Sequence, residues 1–184
     1  MNWKHILIAA VLFSLTGTLH SQQMPLTAEE ILKEAYEAAS KENKKVFIIF
    51  HASWCGWCRK MDASMNDESC KKFFDGNFVV RHLVVQESKN KKHLENPGAE
   101  EFNNKYGGKD EGLPYWLIFD KNGNLLADSK IRPEGVGLDS PGDNSGCPAT
   151  VQEVEFFISV LKKTTGISAE QEVTITKRFR QNEQ

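Results

Sequence analysis

Two cysteines two residues apart stand in the run Trp54-Cys55-Gly56-Trp57-Cys58, directly after the apolar stretch Phe47 to Phe50 and His51. Such a pair holds a metal, crosslinks the chain or exchanges electrons. A structural zinc site needs four ligands, usually a second pair at close spacing. The remaining cysteines, Cys70 and Cys147, stand alone, there is no His-x-x-x-His run, and nothing in the sequence arranges His51 and His82 around the pair. No metal is therefore expected. A crosslink closing so short a loop contributes little to stability. Redox chemistry is the reading that remains, with the thiolate as the nucleophile of disulfide exchange.

The elements around the pair have to present it. Lys45 to Phe50, "KVFIIF", is short, apolar and β-branched and reads as a buried strand. From Cys55 onward, "CGWCRKMDASM" continues as a helix, and Asn66 or Asp67 caps a second helical piece ending near Gly76. Upstream, Thr27 with Glu29 and Glu30 forms a capping box for a helix carrying Ile31, Leu32, Ala35, Ala38 and Ala39 at helical spacing. Downstream, "FVVRHLVVQ" is a second strand, and "SKNKKHLENPG" a polar loop with a solvated lysine cluster. "PGAEEFNNKYGG" is a short helix stopped by Gly107. Two strands joined at Asn122-Gly123 make a hairpin. Residues 132–149 read as a loop, and an amphipathic helix follows with Val151, Val154, Phe157, Ile158 and Leu161 on one side. Beyond Gly166 the chain reads as a polar tail, residues 166–184, with Val173 and Ile175 alternating as in a short edge strand. Two strands joined by a helix run parallel through a right-handed crossover, so the sheet is mixed.

In this order the chain resembles the thioredoxin superfamily over roughly residues 25–165. The resemblance rests on the strand running into Trp54-Cys55-Gly56-Trp57-Cys58, on Leu113-Pro114 opening the hairpin, and on the closing helix. The Cys-Gly-Trp-Cys form, "NKYGG…GLPYW" and the Gly/Pro-rich loop look more like secreted bacterial thioredoxin-like proteins than cytosolic thioredoxin. The resemblance implies an α/β thioredoxin fold, a central mixed sheet with helices on both faces. It implies a thiol–disulfide oxidoreductase without a cofactor, acting on protein disulfides and served by a redox partner that this sequence does not encode.

Cys55, at a helix start, is then the attacking thiolate, favoured by free N–H groups and the helix dipole. Cys58, one turn deeper, resolves the mixed disulfide. Trp54 supplies an apolar surface beside an exposed sulfur, Trp57 flanks it, and Pro114, as the family's cis-proline, brings the Leu113 backbone to an extended substrate strand. Trp57 is neither the Pro of cytosolic thioredoxin nor the His of strong oxidases, which points to a reductase. Many thioredoxins carry a buried acid where this chain has Ile49, so Lys44, Lys45 or a water is expected to take over the proton. His51 reads first as a packed strand-end residue and second as a titrating neighbour of the thiolate.

With 184 residues and a formal charge of −2, the chain has enough length for one core and no basic excess for nucleic acid. Lys4, the apolar run Ile6 to Leu15 and the small polar "TGTLHSQQ" follow the grammar of a secretory signal peptide, residues 1–21, cleaved near Ser21. The other reading is an uncleaved N-terminal anchor. A cleaved signal places the protein in the periplasm or outside the cell, without membrane insertion afterwards. Three functions stay open: an exported oxidoreductase, a client-binding or maturation module with little general turnover, and a structural domain with a permanent disulfide. Cys70 and Cys147 are expected not to bond to each other, Cys70 as a packed thiol and Cys147 as an accessory thiol near Cys55.

Overall fold

Strand β1, Lys45–His51, is the hub of the fold and is buried along its whole apolar length. The structure, a computed structural model, describes residues 24–183, so the expected signal peptide lies outside the described residues. β1 pairs in parallel with β2, Phe78–Val84, and antiparallel with β3, Tyr115–Phe119. β4, Leu125–Asp128, pairs antiparallel with β3, giving the order β2-β1-β3-β4. The parallel pair requires a crossover, supplied by α2, Gly56–Met65, and α3, Glu68–Asn77. The β3–β4 turn is built on Asp120, whose Oδ1 accepts from the N–H groups of Asn122 and Asn124, while Gly123 takes φ +86°.

The alternation of strand side chains divides the core into two layers. Val46, Ile48, Phe50, Tyr115, Leu117 and Phe119 meet α1, Ala28–Glu42, and α4, Ala99–Lys105. Phe47, Ile49, Trp116 and Ile118 meet α2, α3, α5, Val151–Thr164, and α6, Ala169–Arg180. Both faces are therefore covered, which is why β1 and β3 carry almost no polar residue. The Thr27–Glu30 capping box forms, and Asp67 rather than Asn66 caps α3.

Four local expectations are corrected. The lysine-rich polar loop contains a 3₁₀ helix, Lys89–Leu94, with no buried residue. The Gly/Pro-rich loop carries a small hairpin, β5 Lys130–Ile131 with β6 Asp143–Asn144. It is anchored by Arg132, whose Nη1 and Nη2 donate to the two oxygens of buried Asp128 at 2.7 and 2.8 Å. Val151 does not join the apolar stripe of α5. It stands at the first helical position and is 55% exposed.

The fourth correction is the largest. The polar tail is not an edge strand but α6, capped by Ser168 in a box with Gln171. Ile175 and Phe179, four apart, enter the core, where the Phe179 ring meets those of Phe74 and Phe157 with centroids 6.1 and 5.0 Å away. Helical spacing buries both residues on one face, whereas a strand would bury Val173 with Ile175. Val173 is 68% exposed.

Candidate active site

Cys55 is the N-cap of α2, with extended φ/ψ of −73° and 103°. Its Sγ accepts the Cys58 backbone N–H at 3.0 Å, and its own N–H donates to Ala52 O at 3.0 Å. The β1 strand thus turns through a tight Ala52–Cys55 corner that sets the Cys58 amide of α2 on the sulfur. Cys55 and Cys58 form a disulfide, with Cα atoms 5.3 Å apart.

Leu113 packs on Ala52, Cys55 and Cys58, and the Leu113–Pro114 peptide bond is cis. Both cysteine residues are only 2% exposed. The exposed sulfur expected at Cys55 is therefore not seen in the oxidised pair, because Leu113 and the α2 turn cover it. The two tryptophans are the exposed apolar surface instead, Trp54 at 56% and Trp57 at 47%. Trp54 Nε1 donates to Gln86 O at 2.9 Å, and Lys60 Nζ sits 4.6 Å from the Trp57 ring centroid.

The corner before the cysteines is tied down by an acid that sequence reasoning missed. Buried Glu87 accepts the Ser53 N–H at 2.5 Å and its hydroxyl at 2.9 Å, and Lys91 Nζ donates to the same hydroxyl at 3.1 Å. Burial pushes Glu87 up, but the Ser53 hydrogen bonds, Lys91 and the Ser88 N–H outweigh it and hold the carboxyl below its ordinary range.

The two histidines meet each other. The parallel register sets His82 against Ile49, and the His51 and His82 rings meet edge to face at 5.0 Å. His82 Nε2 lies 2.8 Å from Asp62 Oδ1 on α2. The signal was one histidine near the end of each parallel strand, but only the register joins them. Lys44 and Lys45 stand at the opposite end of β1, with Lys44 paired to Glu42, so neither is placed to serve the cysteines. Among the described residues, no group of three or more His, Cys, Asp or Glu side chains could hold a metal.

Cys70 and Cys147 are free and buried. Both belong to the same apolar layer. Cys70 Sγ lies 3.6 Å from Ser69 Oγ, and burial pushes its thiol up. Cys147 no longer precedes the last helix. The turn after α6 folds back over it, and Asn182 Nδ2 donates to its Sγ at 3.4 Å. Burial pushes that thiol up to about 12. A groove of about 380 Å³ runs beside it, lined by Trp57, Leu113, Asn144, Gly146, Cys147 and Glu183 among others. Asn144 Nδ2 reaches the carbonyls of Gly112 and Pro114 at 2.7 and 3.3 Å, linking the β5–β6 segment to the proline loop.

A family model described as thioredoxin-like matches residues 27–121, just over half of the 184-residue chain. The disulfide bond reductase DsbH of Chlamydia pneumoniae is 28% identical over 128 residues, covering 65% of this chain and 75% of that protein. A disulphide isomerase of Xylella fastidiosa Temecula1 is similar at 18% identity and TM-score 0.47, covering 94% of this chain and 100% of that one. The C-terminal domain of Neisseria meningitidis DsbD, oxidised, is similar at 16% identity and TM-score 0.45, covering 77% of this chain and 99% of that one. With its β2-β1-β3-β4 sheet and a Cys-x-x-Cys disulfide at the start of α2, the chain belongs to the thioredoxin-like family of thiol–disulfide oxidoreductases.

Proposed function

We propose that the protein is an exported protein-disulfide reductase. The observation that carries this reading is the Cys55 sulfur at the N-cap of α2, accepting the Cys58 N–H beside a cis Leu113–Pro114 bond. When the pair is reduced, the same amide and the helix dipole favour the Cys55 thiolate over that of Cys58 inside the helix. The thiolate attacks one sulfur of a client disulfide. A Cys55–client bond forms, the client S–S bond breaks, and the other client sulfur leaves with the electron pair and takes a proton. Cys58 then attacks Cys55 Sγ, closing the Cys55–Cys58 bond and releasing the second client thiol.

Trp57 supports the reducing direction, since it puts no cation between the cysteines to over-stabilise the thiolate. The similarity to a protein named as a disulfide bond reductase points the same way. Leu113 and Pro114 present backbone for an extended client, and the groove beside Trp57 offers it an apolar seat. Because both cysteines are covered when oxidised, the disulfide is shielded from stray thiols and opens to a partner docked on that loop. Export rests on the first 21 residues. Among the described residues no helix is long and apolar enough to cross a membrane.

The test is the reduction potential of the pair. A value near −270 mV supports a reductase, and one near −120 mV an oxidase. Mass spectrometry of the mature N-terminus tests the cleavage near Ser21.

A further inference from the structure

Beside the first turns of α2 lie three titratable side chains to which thiol–disulfide exchange through Cys55 and Cys58 has so far assigned no task. On β1, Phe47 and Ile49 lie in the layer with Met61 and Met65 of α2. His51 is the next residue on that side, at the strand end from which the chain passes through Ala52 to Cys55. In a parallel pair, facing residues point to the same side, so His82, opposite Ile49, is directed to α2 as well. Its Nε2 is 2.8 Å from Asp62 Oδ1, and its ring touches His51 edge to face at 5.0 Å. Asp62 stands four residues after Cys58, one helical turn on and on the same face. An Asp62–His82–His51 chain therefore runs from α2, one turn past Cys58, to the strand end four residues before Cys55.

We propose that His51 accepts the Cys58 proton in the resolving step, with His82 and Asp62 as positioning residues that orient its ring and set its basicity. The proposal rests on the reductase reading. In the mixed disulfide, Cys55 is bonded to a client sulfur and Cys58 carries a thiol. The thiol passes its proton to the His51 imidazole. The Cys58 thiolate attacks Cys55 Sγ, and the Cys55–Cys58 bond forms as the Cys55–client bond breaks. The electron pair leaves on the client sulfur, which takes the proton from the His51 imidazolium. Over both steps the dithiol gives two electrons and two protons, and the client disulfide becomes two thiols.

The electrostatics fit an acceptor that is neutral at physiological pH. Burial, then the His82 ring, holds His51 below its ordinary value of 6.5, against Asp62 on α2 and Glu87 after β2, which raise it. Removing each neighbour therefore has a signed consequence.

The experiment uses the full reduced chain and an aromatic disulfide whose thiolate product is coloured. The first release reports attack by Cys55 and the second reports resolution by Cys58. In the wild type the second release should accelerate with rising pH through an inflection below 6.5 and then level off. His51→Gln should slow the second release about 100-fold relative to the first and erase the inflection. Asp62→Asn should move the inflection down in pH and His82→Gln should move it up. A His51→Gln protein with the wild-type second phase and inflection overturns the proposal. Should that variant not fold, shifts of Asp62→Asn and His82→Gln that are absent or in the same direction overturn it alone. A wild type that shows no second release strikes the reductase reading instead.

Discussion

Cys55 and Cys147 have Leu113 in common: it packs on the first and lines the groove beside the second. Their surroundings nevertheless oppose each other. Cys55 caps a helix, so its sulfur accepts a backbone N–H at 3.0 Å and stands at the positive end of α2. Cys147 precedes a helix by several residues, and the Asn182 amide donates to its sulfur at 3.4 Å within an apolar layer. Under the proposed function the first site favours a thiolate on reduction, while burial pushes the second thiol up to about 12. Cys70, in α3, is raised by burial as well. What separates the sulfurs is a backbone N–H of α2 on Cys55 and burial in an apolar layer at Cys70 and Cys147.

The comparison breaks most visibly by mutation. Cys55→Ser should reduce disulfide reduction to background, and Cys58→Ser should accumulate client mixed disulfides that non-reducing electrophoresis displays. Cys147→Ala and Cys70→Ala should each keep turnover within about twofold while losing about 1–3 kcal/mol of stability as small core truncations. Loss of turnover in Cys147→Ala would erase the contrast.

A smaller effect is expected at the proline. Pro114→Ala should lower turnover of a protein client about tenfold and change the rate with a small aromatic disulfide much less, since only the client uses the Leu113 backbone. Equal losses on both substrates would mean that Pro114 shapes the cysteine pair itself.

Alkylation sharpens the buried half of the comparison. The folded, oxidised protein should resist a thiol reagent, and after denaturation peptide mapping should find Cys70 and Cys147 modified separately. A Cys70–Cys147 linked peptide would contradict their free state. Asn182→Ala, which uncovers Cys147 Sγ, should speed its native alkylation severalfold and leave Cys70 as slow as before.

The smallest effect concerns the corner that holds Cys55. Glu87 titrates below its ordinary range in the folded protein. Its contribution is therefore complete above about pH 5 and is lost as pH falls through the lower folded value. Glu87→Gln should lower the melting temperature by about 2–4 °C at pH 7, with the gap closing toward pH 3. A gap that widens in acid would refute the assignment.

Local signals decided much of this molecule in advance. The Thr27 capping box, the apolar β1, the Asn122-Gly123 turn and the helix starting at Cys55 depend on neighbours a few residues away, and each forms. The Ser168-to-Gln171 capping box of α6 was equally local, but it introduces a helix with just two buried residues, Ile175 and Phe179. So weak a stripe reads as a solvated tail until Phe74 and Phe157 are there to receive it.

The sequence by itself determined the chemistry, because a Cys-x-x-Cys pair behind a buried strand and ahead of a helix brings its own helix amide and its own partner thiol. What surrounds that pair was decided only in three dimensions. Leu113 reaches it because β3 lies beside β1, and Glu87 reaches Ser53 across the end of β2. His51 meets His82 because parallel pairing sets Ile49, and not a neighbour, against His82. A shift of one residue would turn His82 to the other face of the sheet. Side-chain alternation is written in each strand, but the register between strands is set by the packing of both sheet faces at once.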